Sequence, residues 1–423
     1  MKIVVCGLGY VGTTAGACLV QDGHRVVGVD VNRQKVDQFA AGIAPVSEPR
    51  VGDMLAAGRA GGRLGAATAI GNELDDADLA IVCVGTPSTA NGSLDLDQIV
   101  AVAGEIGRAV RGRAARARPL MVVFRSTMPP GSMDGVVMPA LVEAAGAAPG
   151  GHYEVAFNPE FLRESTAVAD YYAPAKIVVG ERAAGAARRL YGLYDGIRAP
   201  LFEMPFAAAE LVKLTDNAFH ALKVAFGNEI GRLALALGVA PDPVADAFLA
   251  DTKLNISPAY LRPGGPFGGS CLPKDVRAIS ALAAARGVEA PVLANTMRSN
   301  DAHKRFLAQR VMDRLAPGAT VLLLGLSFKT ATDDMRESPL VDLAETLLGK
   351  GYDLRIHDPD LKGRKLVGAN LRFVEQHLPH LSRVLVEDVA DIGQPALVVR
   401  GKAMPEVEAR LDPAWPLVDL VRL

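Results

Sequence analysis

Short, nearly continuous apolar runs recur along the first half of the chain, at 2–6, 26–30, 79–85, 120–125, 153–157 and 176–180. Most are rich in β-branched residues, and longer stretches of helical spacing separate them. Continuous rather than alternating apolarity is what a strand buried on both faces requires, so these runs predict a parallel sheet covered by helices. Alternation of strand and helix implies βαβ units and a doubly wound α/β fold. From 207 to 237 the pattern changes to one long predicted helix, with Pro205 before it and Gly238 and Pro241 beyond it. A helix of about thirty residues spans roughly 45 Å, enough to join two domains and to support a dimer interface. Leu211, Leu214, Phe219, Leu222, Val224 and Phe226 go round much of its circumference, so both lobes or a second chain must cover it.

The strand–helix alternation resumes at Thr320 with TVLLLGLSFKT and the helical SPLVDLAETLLGKG. The following GYDLRIHDPD repeats the pattern of the earlier GHRVVGVDVN, so that Asp30 and Asp358 hold equivalent places. The second copy reads GLSFKT where the first reads GLGYVG, and so lacks the glycine fingerprint. The expected architecture is two doubly wound, Rossmann-like lobes joined by a long central helix. Segments 1–203, 204–304 and 305–423 are the expected N-terminal doubly wound, central helical and C-terminal doubly wound domains.

Composition narrows this picture without redrawing it. A chain of 423 residues is too long for one ordinary core, and 50% hydrophobic with 22% charged residues reads as globular. The formal charge of −2 supplies no field for nucleic acid, which is not expected as a partner. The basic run Arg111, Arg113, Arg116, Arg118 reads as a solvated loop. Met1 leads directly into the strand-like KIVVCG, with no basic n-region or cleavage site, and no apolar run is long enough to span a bilayer. A cytoplasmic chain without membrane attachment is expected. Cys6, Cys18, Cys83 and Cys271 are far apart, which suggests neither a disulfide framework nor a metal site. Three of them sit in apolar stretches, where cysteine acts as a small hydrophobe; Cys271 does not.

Gly7-Leu8-Gly9-Tyr10-Val11-Gly12 follows the first strand and opens a helix. In such a motif the first glycine permits a tight turn, the second lets the backbone approach a pyrophosphate, and the third lets the helix pack on the strand. Asp30, eighteen residues past Gly12, ends the second strand, where a carboxylate accepts from a ribose 2′-hydroxyl and repels a 2′-phosphate. NAD is therefore the expected cofactor. Thr86, Ser126 and Thr127 follow strands at the edge that faces the ligand crevice; each hydroxyl also reads as the cap of a local turn. Glu160 and Glu164 in NPEFLRES are paired carboxylates after a strand, able to position water or simply to favour a helix N-terminus. Lys213, Asn217 and His220 share a face of the long helix, with Asn228 near it; a cation and an amide four residues apart can converge on one oxygen. Cys271 lies in RPGGPFGGSCLPKD, with Arg262, Lys274 and Asp275 close in sequence. Cations and helix N-termini favour the nucleophilic thiolate, and Pro273 suits a first helical turn just after Cys271. Tyr172-x-x-x-Lys176 spells a pair used in other dehydrogenases, but Pro174 stands between them, so the match reads as coincidence.

With GLGYVG, VGTPS, RSTMPPG, NPEFLREST, FGGSCLPKDVRA, MRSN and GLSFKTATDDMRESPLVDLAE in this order, the chain resembles the UDP-glucose/GDP-mannose dehydrogenase family along essentially its whole length. Its GDP-mannose-oxidising members match best. The resemblance implies that Tyr10, Val11, Asp30, Lys35, Thr86, Thr127, Lys274 and Arg336 contact NAD. It implies a nucleotide-sugar site made by Glu164, Lys213, Asn217, His220, Asn228, Asn255, Tyr260, Arg262, Gly268 and Lys329. It makes Cys271 the nucleophile and implies a domain-swapped homodimer with shared active sites. Ala259 stands where the family has an aromatic residue, Gly265 where it has a Phe, and the chain after Ala396 is shorter and more divergent; base and sugar preference stay open on that account. The implied reaction is a four-electron oxidation of GDP-mannose at C6 through a Cys271 thiohemiacetal and thioester. Lys213 and Asn217 hold the negative oxygen, and Glu164, Thr127 or Asp275 positions water. Oxidation of a UDP-sugar such as UDP-glucose is the alternative. A two-electron hydroxyacid dehydrogenase also uses Lys-x-x-x-Asn but needs no thiol, and an NAD-binding regulator needs only the cofactor residues.

Overall fold

The computed structural model describes the chain apart from residues 91–92, 114–117, 259, 262, 270, 329–333, 362–372, 375 and 423. It divides into two compact units, Met1–His220 and Ala221–Leu423.

The first unit carries eight strands: β1 (Lys2–Cys6), β2 (Arg25–Val29), β3 (Leu64–Ala67), β4 (Leu79–Val82), β5 (Leu120–Phe124), β6 (Tyr153–Phe157), β7 (Ile177–Gly180) and β8 (Leu201–Met204). Their order in the sheet is β3-β2-β1-β4-β5-β6-β7-β8. Helices α1 (Tyr10–Gln21), α2 (Arg33–Ala40), α3 (Val51–Ala60), α4 (Asp97–Gly112), α5 (Met138–Ala145) and α6 (Ala167–Tyr172) cover it. Successive strand residues point to opposite faces, and both faces are buried. Val4, Val82 and Val122 pack with Ile99, Ile106 and Leu141 on one side. Ile3, Val5, Ile81 and Val123 pack with Leu19, Val20 and Leu55 on the other. This two-sided burial is why the strands read as unbroken apolar runs.

The structure differs from the expectation in detail. β3 and β8 were not expected: Leu-Gly-Ala-Ala has no β-branched residue, and three of the four residues of β8 are exposed at the sheet edge. β7 runs antiparallel to β6, paired at Phe157–Gly180, and β8 lies parallel to β7, so the sheet is parallel over six strands and reverses at the seventh. The basic run is not a solvated loop throughout. Arg111 lies in α4, and Arg113 is buried with its guanidinium on the carbonyls of Asp75 and Ala77; Arg116 lies outside the described residues.

The long helix α7 runs from Phe206 to Ala236, 31 residues, and ends before Gly238 at φ +72°. At its start Phe206 and Ala209 enter the core, and buried Glu210 accepts from the N–H groups of Gly131 (2.6 Å) and Met133 (2.7 Å). Further on, Leu211, Phe219, Leu222 and Val224 are exposed.

The second unit holds α8 (Pro241–Ala250), α9 (Leu272–Ala285), α10 (Pro291–Met312) and α11 (Pro339–Gly349). Its strands are β9 (Thr320–Leu324), β10 (Asp353–His357), β11 (Leu397–Arg400) and β12 (Leu417–Asp419), an all-parallel sheet in the order β10-β9-β11-β12. Glu229 on α7 caps α10 by accepting from Val292 (2.8 Å) and Leu293 (3.0 Å). The internal repeat is geometric as well as sequential. Gly7 and Gly325 both have left-handed φ, +99° and +98°. The Asp30 carboxylate accepts from Leu8 N–H and that of Asp358 from Leu326 N–H, each at 2.8 Å. In the second lobe, however, the buried Lys402 ammonium occupies Asp358 (2.8 Å), with Ser327 and Asp360 as its other partners. No helix among the described residues is long and apolar enough to cross a membrane.

Candidate active site

In the first unit the glycine fingerprint sits at the C-terminal edge of β1. A Cβ on Gly12 would lie 1.9 Å from the Gly7 carbonyl oxygen, so α1 packs on the turn only because that atom is missing. A Cβ on Gly9 would meet nothing within 4 Å. Gly9 is the N-cap of α1 and offers no side chain to the helix N-terminus, so the first N–H groups of α1 and its positive end remain for an anion. Asp30 accepts from Leu8 N–H and from Asn32 N–H (2.8 Å each), one on each oxygen. A carboxylate has about four acceptor positions, so capacity for a ribose hydroxyl remains. Lys35 stands 3.9 Å from Asp30. Bare backbone at Gly9, an uncapped helix end and a carboxylate at the next strand end together fit a dinucleotide. Beyond them, Thr86 Oγ1 donates to the Thr127 carbonyl (2.8 Å) and Ser126 Oγ to the Val84 carbonyl (2.6 Å), drawing the ends of β4 and β5 together. Val11 is half-buried on α1.

The NPEFLREST segment follows β6 and is tied down at every turn. Asn158 donates to the Val178 carbonyl (2.8 Å) and accepts from the Tyr194 hydroxyl. Of the two carboxylates that the residue pattern could not separate, Glu160 is the one beside Lys213: their charged atoms are 3.0 Å apart and both side chains are nearly buried. Glu164 is exposed. The Lys213 ammonium lies 5.6 Å and the Lys176 ammonium 4.8 Å from the centroid of Phe161. Lys176 pairs with Asp216 (2.6 Å), whereas Tyr172 donates to Asp22 (2.9 Å), so the Tyr-x-x-x-Lys pair serves separate contacts. Asn217 and His220 are exposed along α7 beyond Lys213.

One residue here escaped the sequence reading. Buried Glu48, on the loop after α2, accepts from Ser165 N–H (2.8 Å), Ala167 N–H (2.9 Å) and the Tyr10 hydroxyl. It joins the cofactor turn to the Glu164 segment, where Ser165 is held at a left-handed φ of +72°. Burial, then the Glu48 hydrogen bond, raises the Tyr10 pKa. A lone glutamate in a loop carries no pattern that reveals such partners.

In the second unit Cys271 is the N-cap of α9, with Pro273 in the first turn as expected, and the Cys271 carbonyl accepts from Asp275 N–H (2.9 Å). Lys274 pairs with Asp275 (3.0 Å) and Arg336 makes a two-pronged pair with Asp334 (2.8 Å on each oxygen). These carboxylate bonds raise the pKa of both cations, and Cys271 is close enough to both to add in the same direction. Cys271 is exposed, whereas burial pushes the Cys18 and Cys83 thiols up to about 12 and raises that of Cys6 as well. The loop before Cys271 is closely packed. A Cβ on Gly268 would lie 2.4 Å from the Glu337 carbonyl oxygen, and one on Gly269 would lie 2.8 Å from the Phe328 ring. Asn255 donates to the Phe248 carbonyl (3.2 Å), and Tyr260 and Asn228 are exposed. Arg262 and Lys329 lie outside the described residues. The expected site residues thus form two groups, Lys213, Asn217, Glu164 and Thr127 in the first unit and Cys271, Lys274, Asp275 and Arg336 in the second.

A Rossmann lobe fitted for NAD, with a lysine–amide helix face beside it, defines an NAD-dependent dehydrogenase. Residues 1–198 match the NAD binding domain of the UDP-glucose/GDP-mannose dehydrogenase family, 207–302 its central domain and 322–384 its UDP binding domain. The chain belongs to this family, and NAD is its cofactor. It is 45% identical over 390 residues to a GDP-mannose 6-dehydrogenase of Pseudomonas savastanoi pv. phaseolicola, covering 92% of this chain and 87% of that one. A UDP-glucose 6-dehydrogenase of Bacillus subtilis is 34% identical, over 85% of this chain and 80% of its own length. The crystal structure of a ternary complex of GDP-mannose dehydrogenase from Pseudomonas aeruginosa superposes with a TM-score of 0.93 at 42% identity, covering 99% of this chain and 96% of that one. The chain is a nucleotide-sugar dehydrogenase.

Proposed function

We propose that this chain oxidises the C6 alcohol of GDP-mannose to the carboxylate, giving GDP-mannuronate, a precursor of alginate-type polysaccharide. The observation that carries the proposal is the setting of Cys271: the one exposed cysteine, at the N-cap of α9, with Lys274 in the first turn of that helix. An alcohol-to-aldehyde enzyme needs no such thiol. Identity of 45% to a GDP-mannose enzyme against 34% to a UDP-glucose enzyme supports the choice of substrate.

NAD⁺ bound at the glycine turn supplies the hydride acceptor for both oxidations. Lys213 and Asn217, one turn apart on α7, hold the C6 oxygen as it gains negative charge. In the resting protein Glu160 keeps the Lys213 ammonium paired. The Cys271 thiolate forms a C–S bond to the aldehyde carbon, and loss of a second hydride turns the thiohemiacetal into a thioester. Water positioned by Glu164, Thr127 or Asp275 then attacks the thioester carbon, the C–S bond breaks, and Cys271 leaves as thiolate. Overall, one alcohol, one water and two NAD⁺ give one carboxylate, two NADH and three protons. Segments 1–203, 204–304 and 305–423 serve as cofactor, dimerisation and nucleotide-sugar domains. The exposed apolar residues of α7 support a homodimer in which the partner covers them and shares the site.

The test is Cys271→Ser, which keeps the shape but supplies a poor nucleophile with no evident base. Carboxylate turnover falls by at least about 10²-fold while NAD⁺ binding survives. Near-normal acid production would sink the covalent route.

A further inference from the structure

The loop that delivers Cys271 is a poor candidate for self-organisation. Residues 263–269 read Pro-Gly-Gly-Pro-Phe-Gly-Gly, four glycines in seven positions. Glycine loses more backbone freedom on ordering than any other residue. A nucleophile on such a segment is placed only if something outside the segment holds it.

The geometry points to Asn300, in the MRSN stretch of α10, as a positioning residue for this loop; its side-chain amide fixes the backbone at Phe267, four residues before Cys271. Asn300 is 7% exposed and spends both ends of its amide on one residue. Its Oδ1 accepts from Phe267 N–H at 3.0 Å and its Nδ2 donates to the Phe267 carbonyl at 2.8 Å. Only one orientation of the amide satisfies both bonds, so the pairing also sets which way the Phe267 peptide groups face. One helical turn on, His303 Nε2 lies 2.7 Å from the Gly264 carbonyl oxygen. α10 thus grips the loop at two points. The Glu337 carbonyl and the Phe328 ring press on Gly268 and Gly269, leaving no room for a Cβ. Held at these contacts, the loop brings Cys271 to the start of α9 in one place. A catalytic group misplaced by about 1 Å can lose about 10²-fold in rate.

The inference rests on Cys271 as the nucleophile only for its effect on turnover. The placement itself is read separately, by alkylation. Cys6, Cys18 and Cys83 are buried, so iodoacetamide at fixed pH reports on Cys271. Asn300→Ala removes the clamp. Asn300→Asp keeps the shape and still accepts from Phe267 N–H, but it sets a carboxylate oxygen against the Phe267 carbonyl. Each variant is assayed below its melting transition as the full chain. The expected result for both is a change of at least about threefold in the alkylation rate constant, a kcat for acid formation lower by about tenfold or more, and a KM for NAD⁺ within about twofold of the parent. Because the first hydride transfer needs no thiol, trapped aldehyde should rise and the NADH formed per sugar should fall below that of the parent. Asn300→Asp keeps the test available if Asn300→Ala does not fold. An alkylation rate unchanged in the folded variant, with only the melting temperature lowered, overturns the positioning role whatever the product ratio. If alkylation changes but the parent itself releases one NADH per sugar, the clamp stands and the covalent reading of Cys271 falls.

Discussion

Gly9 and Gly12 belong to the same motif, yet the structure assigns them different failures on substitution by alanine. At Gly12 the new Cβ would lie 1.9 Å from the Gly7 carbonyl oxygen and 3.2 Å from the Cys83 side chain. An ordinary carbon–oxygen contact is about 3.3 Å, so α1 or the turn must retreat by about 1.4 Å. Residues Gly12–Val20 of α1 are all buried, so the shift propagates into packed side chains. Overpacking of this kind costs about 1–3 kcal/mol. For a unit of this size that is roughly 2–12 °C in melting temperature. At Gly9 the backbone has φ −76° and ψ −167°, open to any residue, and a Cβ meets nothing. Gly9→Ala should therefore melt no lower than the parent, and a gain of about 0.4–1 kcal/mol is expected from the stiffer unfolded chain. Its cost appears only when a pyrophosphate moves onto that backbone. The same 1–3 kcal/mol of crowding then weakens NADH binding by about 5–150-fold. Thermal melts and fluorescence titration with NADH separate the two variants. Parent-like NADH affinity in Gly9→Ala, or a parent-like melt in Gly12→Ala, would refute this reading of the turn.

Two further outcomes follow from the first unit. The Asp30 carboxylate should repel a 2′-phosphate, so kcat/KM with NAD⁺ should exceed that with NADP⁺ by at least about tenfold, or 1.4 kcal/mol; equal values would show that Asp30 does not face the ribose. Glu48→Gln turns one acceptor into a donor facing Ser165 or Ala167 N–H, a loss of about 1–3 kcal/mol. That should raise the KM for the nucleotide sugar through the displaced Glu164 segment while NAD⁺ affinity stays within about threefold, and parent values for both would remove Glu48 from the site.

The central strands were legible because burial on both faces leaves an unbroken apolar run, and the glycine turn because its geometry demands glycine. β3 and β8 were not, since small or exposed edge residues carry no such pattern. The reversal at β7 was hidden for another reason: apolar periodicity is the same whichever way a strand runs. The equivalence of Asp30 and Asp358 could be read from the repeat. The Lys402 ammonium that fills the second copy could not, because it comes from a turn 44 residues away. The same holds at the site. Cys271 stood out by composition alone, but the choice between Glu160 and Glu164 beside Lys213, the grip of Glu48 on residues 117 and 119 positions away, and the clamp of Asn300 on Phe267 are tertiary facts.

The central claim is a four-electron oxidation through Cys271, and counting product tests it most directly. Purified protein with limiting GDP-mannose and excess NAD⁺ should be run to completion, with NADH read by absorbance and the sugar product identified. The account predicts two NADH and one carboxylate for each GDP-mannose consumed, with no free aldehyde. One NADH per sugar with aldehyde accumulating would contradict it.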